Sequence, residues 1–267
     1  MLLGIDHIVL VVRDLAQAVD DYSRAGFTVT PGGEHTGGLT HNALIGFDDG
    51  VYLEIIAFKD PSRLQDHSWW PRLARGEGLV DYALLSDNLQ GDAAAFQQRG
   101  LAIGNVQPGS RVRPDGQQVA WRVLHPERQL GQTVLPFVIE DVTPRSLRVP
   151  HAAAAQHPLA VSGVAGLRLV VQDLATSTAS LAALLGSAGP ASSAQVDPAV
   201  GTVVRLQIGD QWLELVQPHN RTDALGRSLA QRGVSPYQVV LHAAGSTAGT
   251  ATRELDTALT HGASIVV

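Results

Sequence analysis

The stretch at residues 51–58, VYLEIIAF, sets one carboxylate, Glu54, among apolar residues on a strand-like segment. A buried carboxylate needs a cation or several hydrogen-bond donors, because an unpaired charge in a low-dielectric interior is costly. The candidates are a metal ion shared with His7 or an arginine such as Arg111 or Arg113, and a plain structural ion pair answers the same need. His7 lies in GIDHIVLVV, sharing a face with Ile5, Val9 and Val11, while Ile8, Leu10 and Val12 form an equally apolar opposite face. A strand apolar on both faces is covered on both. His7 is therefore expected where water is scarce, either as a core histidine satisfied by a backbone carbonyl or as a group lining a cleft. In SRVRPDGQQVAW, the forks of Arg111 and Arg113 suit an anionic group on a small molecule, although Pro114-Asp115-Gly116 is first of all a turn. Trp121, at the end of that stretch, either lines a pocket or packs in the core.

Composition bounds what such residues can belong to. The 267 residues, 45% hydrophobic, are enough to bury a substantial core. The formal charge of −6 arises from 25 acidic and 19 basic residues with no dense Lys/Arg block, which argues against nucleic acid as a partner. With no cysteine there is no disulfide framework, thiolate metal site or Cys nucleophile, and the default compartment is cytoplasmic. The apolar N-terminus is interrupted by Asp6, His7, Arg13 and Asp14 before a signal core can form, and the longest uncharged stretches carry Pro150, Pro158 and Pro190, so no membrane span is predicted.

The elements that position these residues repeat. GIDHIVLVVRDL at 4–15, GLVDYALLSDNL at 78–89, GVAGLRLVVQDL at 163–174 and, more loosely, GVSPYQVVLHAA at 233–244 each read as a strand followed by a polar turn. An Ala-rich segment with helical spacing follows, then a Gly such as Gly26, Gly100 or Gly262 where a helix terminus favours a left-handed residue. FTVTPGG, THNALIGF, a turn at 48–50 and VYLEIIAF complete the first unit, βαβββ, over residues 4–58. The second unit continues through LAIGNV, QQVAWRVLHPE and TVLPFVIED. A third ends in TVVRLQI, a Gly209-Asp210 turn and QWLELVQP, and a fourth stops after its first strand, helix and second strand. The fold class is α+β, built of repeated βαβββ units. The predicted division is 1–145 for two paired units carrying the cleft, 146–160 for an Ala- and Pro-rich linker flanked by solvated His151 and His157, and 161–267 for a structural half. Aligning the repeats puts Asp81 in the place of His7 and Pro136 in that of Glu54. A carboxylate at 81 is a competent ligand for a hard metal.

Most of residues 1–141 resembles the glyoxalase-like domain family of the vicinal oxygen chelate (glyoxalase/bleomycin resistance/dioxygenase) superfamily. The resemblance rests on GIDHIVLVVRDL, on HTGGLTHNALIGFDDGVYLEIIAF from His35 to Phe58, on SRVRPDGQQVAWRV from Ser110 and on LPFVIED from Leu135. It implies two units paired into curled mixed sheets round a cleft, with a divalent metal bound through the first and last strands. Carried onto this chain, the ligands are His7, Glu54 and Asp81, with the fourth lost at Pro136. One imidazole and two carboxylates suit Mn, Mg, Ni or Zn better than the two-His, one-carboxylate iron triad, so ring-cleaving dioxygenation is disfavoured. The implied chemistry is that of a lyase or isomerase on a vicinal-oxygen substrate, with Glu54 as ligand, base or both. His41 is expected to face the cleft among residues that bind the substrate, with Arg111, Arg113 and Trp121, whereas Thr40 and Asn42 are expected to cap backbone groups. A metal-free protein that sequesters a small molecule is the competing expectation, and a homodimer is compatible with either. The C-terminal half, with Gly166 and Pro236 at the His7 positions and only Glu214 retained, is expected to lack chemistry.

Overall fold

The computed structural model describes residues 1–127, 129–186, 191–244 and 253–267. In chain order the elements are β1 (Leu2–Val12), α1 (Leu15–Arg24), β2 (Thr30–His35), β3 (Thr40–Gly46), β4 (Tyr52–Phe58), α2 (Trp70–Leu73), β5 (Gly78–Ser86), α3 (Leu89–Gln98), β6 (Gln107–Val112), β7 (Gln118–Leu124), β8 (Phe137–Asp141) and α4 (Arg145–Arg148). After a 3-10 turn (Ala152–Ala155) come β9 (Val161–Val170), α5 (Leu174–Leu185), β10 (Gln195–Asp197), β11 (Gly201–Ile208), β12 (Gln211–Gln217), α6 (Ala224–Arg232), β13 (Ser235–Ala243) and β14 (Ser264–Val266).

The polar turn that repeats along the sequence is a helix cap. Asp14, Asn88 and Asp173 each follow a strand with extended or other non-helical backbone, and their side chains accept from the N–H groups of Gln17, Gly91 and Thr176, three residues on. Each thereby satisfies a donor that the first helical turn leaves free.

Two four-stranded sheets close into a barrel in the order β1-β4-β3-β2-β6-β7-β8-β5. In each, the last strand of the unit pairs parallel with the first: His7 lies beside Tyr52 and Val9 beside Glu54, as Ala83 lies beside Phe137. The sheets join where β1 meets β5 antiparallel and where β2 meets β6. The alternation along β1 separates two cores. Ile8, Leu10 and Val12 join a cluster that extends through the helices into the C-terminal sheet, whereas Val9 and Val11 join Ile56, Phe58, Ala83, Phe137 and Ile139 inside the barrel.

Three elements depart from the sequence expectation. The second strand of the second unit is not LAIGNV but the following QPGSRV, where Gly109 leaves room for the Trp121 indole; a Cβ there would lie 2.2 Å from its Nε1. Register also assigns the Glu54 position of the second unit to Phe137 rather than Pro136, since Val9 corresponds to Ala83. The terminal strand β14 pairs parallel with β13, Val239 beside Ile265, in the place of a last strand rather than a second one. The C-terminal sheet runs β10-β11-β12-β9-β13-β14. The helix expected after β13 falls largely on residues 245–252, outside the described residues. Among the described residues no helix is long and apolar enough to cross a membrane.

Candidate functional site

Strand parity brings Glu54 into the barrel, and the hairpin turn at 48–50 brings its neighbours. Leu44 lies directly opposite Glu54 and Asn42 opposite Ile56, so Asn42 is the diagonal neighbour on the same face. Its Nδ2 donates to Glu54 Oε1 at 2.6 Å. Two imidazoles complete the clamp: His7 Nε2 lies 3.3 Å from Oε2, and His35 Nε2 lies 3.3 Å from Oε1. Thr40 Oγ1 contacts His35 Nδ1 at 2.9 Å. Burial pushes the Glu54 carboxyl upward, but the His35 hydrogen bond, the charges of His7 and His35 and the Asn42 bond outweigh it and hold the group at about 2.

His7 is fixed from behind. Its Nδ1 lies 2.6 Å from Asp6 Oδ1, and its ring stacks on Tyr52 with centroids 4.7 Å apart and packs edge-on against Phe137. Asp6 is fully buried and takes both Arg148 Nη atoms at 2.8 Å and Arg145 Nη1 at 2.5 Å. Burial alone would raise the Asp6 carboxyl, yet the Arg148 guanidinium holds it well below the usual range. Arg148 also donates to Tyr52 Oη and to Asp141. The segment 146–160, expected as a linker, thus supplies the buried base of the site. His157, expected in solvent, accepts the Thr28 N–H at 3.0 Å and bonds the Gly46 carbonyl at 2.9 Å.

The cleft is a cavity of about 290 Å³ within the barrel. Four of the ten histidines line it, His7, His35, His67 and His125, together with Glu54, Asp81, Arg111, Arg148 and the aromatic walls Tyr52, Trp69, Trp121 and Phe137. Of the residues expected from sequence, His7, Glu54, Asp81, Arg111 and Trp121 meet here, with Trp121 edge-on to His35. Two do not. His41 lies opposite Ala57, on the other face of β3 from Thr40 and Asn42, and Arg113 pairs with Asp115 at 3.0 Å and bonds the Leu147 carbonyl. Arg111 is buried and donates to the main-chain carbonyls of Gly32 and Arg148. Among the described residues no carboxylate pairs with it, and burial lowers its pKa.

The three-ligand set expected for a divalent ion is met in part. His7 and Glu54 adjoin, but Asp81 accepts from the Trp69 indole through Oδ2 and from the Tyr82 N–H through Oδ1. Among the described residues no group of three His, Cys, Asp or Glu side chains is arranged to hold an ion, and His7 and His35 turn their Nε2 atoms onto Glu54 itself. The donor set as built does not fit such an ion.

The profile of the glyoxalase-like domain matches residues 5–185. The chain belongs to the glyoxalase-like domain family. Its fold is of the vicinal oxygen chelate type. A hypothetical protein from Staphylococcus aureus is similar over 99% of this chain and 98% of its own, with a TM-score of 0.72 at 13% identity. A variant of 4-hydroxymandelate synthase from Streptomyces coelicolor is similar over 90% and 71% of the two chains, with a TM-score of 0.61 at 13% identity. A fusion of a xylose isomerase-like TIM barrel with 4-hydroxyphenylpyruvate dioxygenase follows at 0.55 and 15%, covering 90% of this chain and 36% of that one. Among curated proteins none matches the chain.

Within this family fold, sequence reasoning missed His35 and Asn42 as partners of Glu54. Pairing residues 40–46 against 52–58 across the turn would have found Asn42 by parity. Nothing local marked Arg148, which reaches the cleft from the end of α4, or His67 and His125, which reach it from connections.

Proposed function

We propose that the cleft binds a small molecule with oxygen atoms on adjacent carbons and that the protein acts on it as a lyase or isomerase, moving a proton beside those oxygens. The observation that carries this reading is the clamp on Glu54: a buried carboxylate, met by two imidazoles and an amide rather than by arginine, in the wall of an aromatic cavity. A carboxylate held near 2 is a poor proton acceptor at neutral pH, so Glu54 serves as the fixed charge. His35, the more exposed of the two rings, gives and takes the proton at Nδ1 through the Thr40 hydroxyl, which also lines the cavity, while Glu54 at Nε2 stabilises charge developing on the ring. Asp6 holds His7 in one orientation, and Trp121, Trp69 and Phe137 exclude water from the bound molecule.

A second reading has its own support. Among the described residues Arg111 donates to main-chain carbonyls alone, and it borders the same aromatic walls, which favours holding a flat anionic molecule without turnover.

The test is a panel of α-hydroxycarbonyl compounds incubated with the protein in D2O, without and with added Mn, Mg, Ni or Zn, and followed by proton NMR. Exchange at the carbon beside the carbonyl, lost in His35→Gln and Glu54→Gln, supports catalysis. Saturable binding without exchange favours sequestration, and neither binding nor exchange across the panel defeats both.

A further inference from the structure

Arg232, the last residue of α6, with Gly233 and Val234, which lead from it into β13, holds two stretches that border the cleft. The first is the connection from β4 to β5, which brings His67, Ser68 and Trp69 to the cavity wall and continues into α2. The Arg232 guanidinium donates to the carbonyls of Gly76, Glu77 and Leu79 at 3.3, 3.1 and 2.9 Å. The bond is returned, since Arg72 of α2, itself buried, donates from Nη1 to the Arg232 carbonyl. The second stretch runs between β7 and β8 and begins at the cavity residue His125. There Val234 N–H donates to the Gly131 carbonyl at 2.8 Å, closing an antiparallel bridge. Gly233 has φ +72°, and a Cβ on it would lie 2.3 Å from the Gly131 oxygen. This junction admits no side chain.

Both arginines give these donors to backbone carbonyls rather than to carboxylates. That use fixes the path of a loop, because each carbonyl it satisfies is one the loop cannot pair within itself. We propose that Arg232 is a positioning residue for the cleft: through Arg232, Gly233 and Val234 the C-terminal half holds both borders of the barrel cavity and sets the surroundings of His67 and Trp69. The C-terminal half then contributes to the cleft without lending it a catalytic group. The inference does not depend on which reaction, if any, the cleft performs.

The experiment compares full-length wild type, Arg232→Met and Arg232→Lys by amide hydrogen exchange with peptide-level mass spectrometry, and by NMR titration of the His67 imidazole. Burial lowers the His67 pKa in the intact cleft. Arg232→Met is expected to speed exchange about tenfold or more in residues 67–79 and 129–135 with β1 and β4 unchanged. The His67 midpoint should rise toward the free value of about 6.5. Arg232→Lys, which keeps the charge and some donors, should fall between the two. Unchanged exchange in both stretches, an unmoved His67 midpoint, or acceleration spread equally over β1 and β4 would overturn the proposal. If Arg232→Met does not fold, Arg72→Lys is read in the same way from the other side of the joint, with the same outcomes deciding.

Discussion

Glu54 and Glu214 occupy the same register, each on the last strand of its unit beside the sixth position of the repeat, which is Val9 in one case and Arg168 in the other. Glu54 meets imidazoles and an amide. Glu214 is met by Arg168 Nε at 2.7 Å and Arg205 Nη2 at 2.6 Å, and both guanidinium groups lie over the Trp212 ring, Arg205 at 4.1 Å from its centroid. Trp212 in turn matches Tyr52, and its ring occupies the space above Gly166 where the first unit carries His7. One backbone thus supports a polar cleft in the first half and a closed arginine–tryptophan–carboxylate stack in the second.

Gly166 is therefore a packing requirement. A Cβ there would lie 2.2 Å from the Trp212 ring, so Gly166→Ala should cost about 1–3 kcal/mol in urea unfolding as the indole is displaced. Stability equal to that of wild type would mean that the ring yields freely.

Arg148 and Arg145 each bridge Asp6 and Asp141, and Arg148 is the fully buried one of the two. Arg148→Met leaves Asp6 in a fully buried place with Arg145 as its remaining cation, and breaking a buried pair from one side costs about 3–5 kcal/mol. Chemical denaturation should show that loss, and adding Asp6→Asn should recover part of it. A double variant no better than Arg148→Met would argue against the pairing.

His157 offers a pH test near neutrality. Burial lowers its pKa, and its ring accepts from one backbone N–H and bonds one carbonyl, an arrangement that requires the neutral form. The folded value lies below the unfolded one of about 6.5, so its contribution is complete above that pH and declines as pH falls below it. Between pH 7 and 5 wild type should lose stability more steeply than His157→Gln. Parallel curves would contradict the buried neutral ring.

The paired units and most strand faces were legible because periodicity and capping are local: the Asp or Asn before each helix marks its own turn, and the alternation in HIVLVV separates two cores without reference to any neighbour. Ile5, expected on the His7 face, instead joins the opposite core across the register shift between Ile5 and His7. What the cleft contains depended on register between distant strands. His41 was favoured over His35 and Asn42 by its type, whereas parity across the hairpin decides the other way. Pro136 stood in for Phe137 because a one-residue slip in a parallel pair leaves the apolar pattern of LPFVIED intact while moving each residue to the other face. Arg148 was hidden in an Ala- and Pro-rich connection, since composition says nothing of what packs over a barrel end.

The clamp on Glu54 makes a prediction that separates its charge from its role in binding. Its folded value of about 2 lies below an unfolded value of about 4.3, so the carboxylate contributes stability that is complete above the unfolded value and is lost as pH falls through the folded one. In that window the unfolded chain binds up to one more proton than the folded chain at this position. The slope of unfolding free energy against pH should then be shallower in Glu54→Gln than in wild type by up to about 1.4 kcal/mol per pH unit, while Asp6 keeps part of the slope in both. His35→Gln, which removes the largest contact that lowers the value, should reduce the slope in the same direction by a smaller amount. Urea unfolding at pH 5, 4 and 3 measures all three, and slopes equal in wild type and Glu54→Gln would mean that the carboxyl is not clamped. At neutral pH, a loss of ligand exchange in a Glu54→Gln protein whose urea transition is intact then reports on the cleft rather than on the fold.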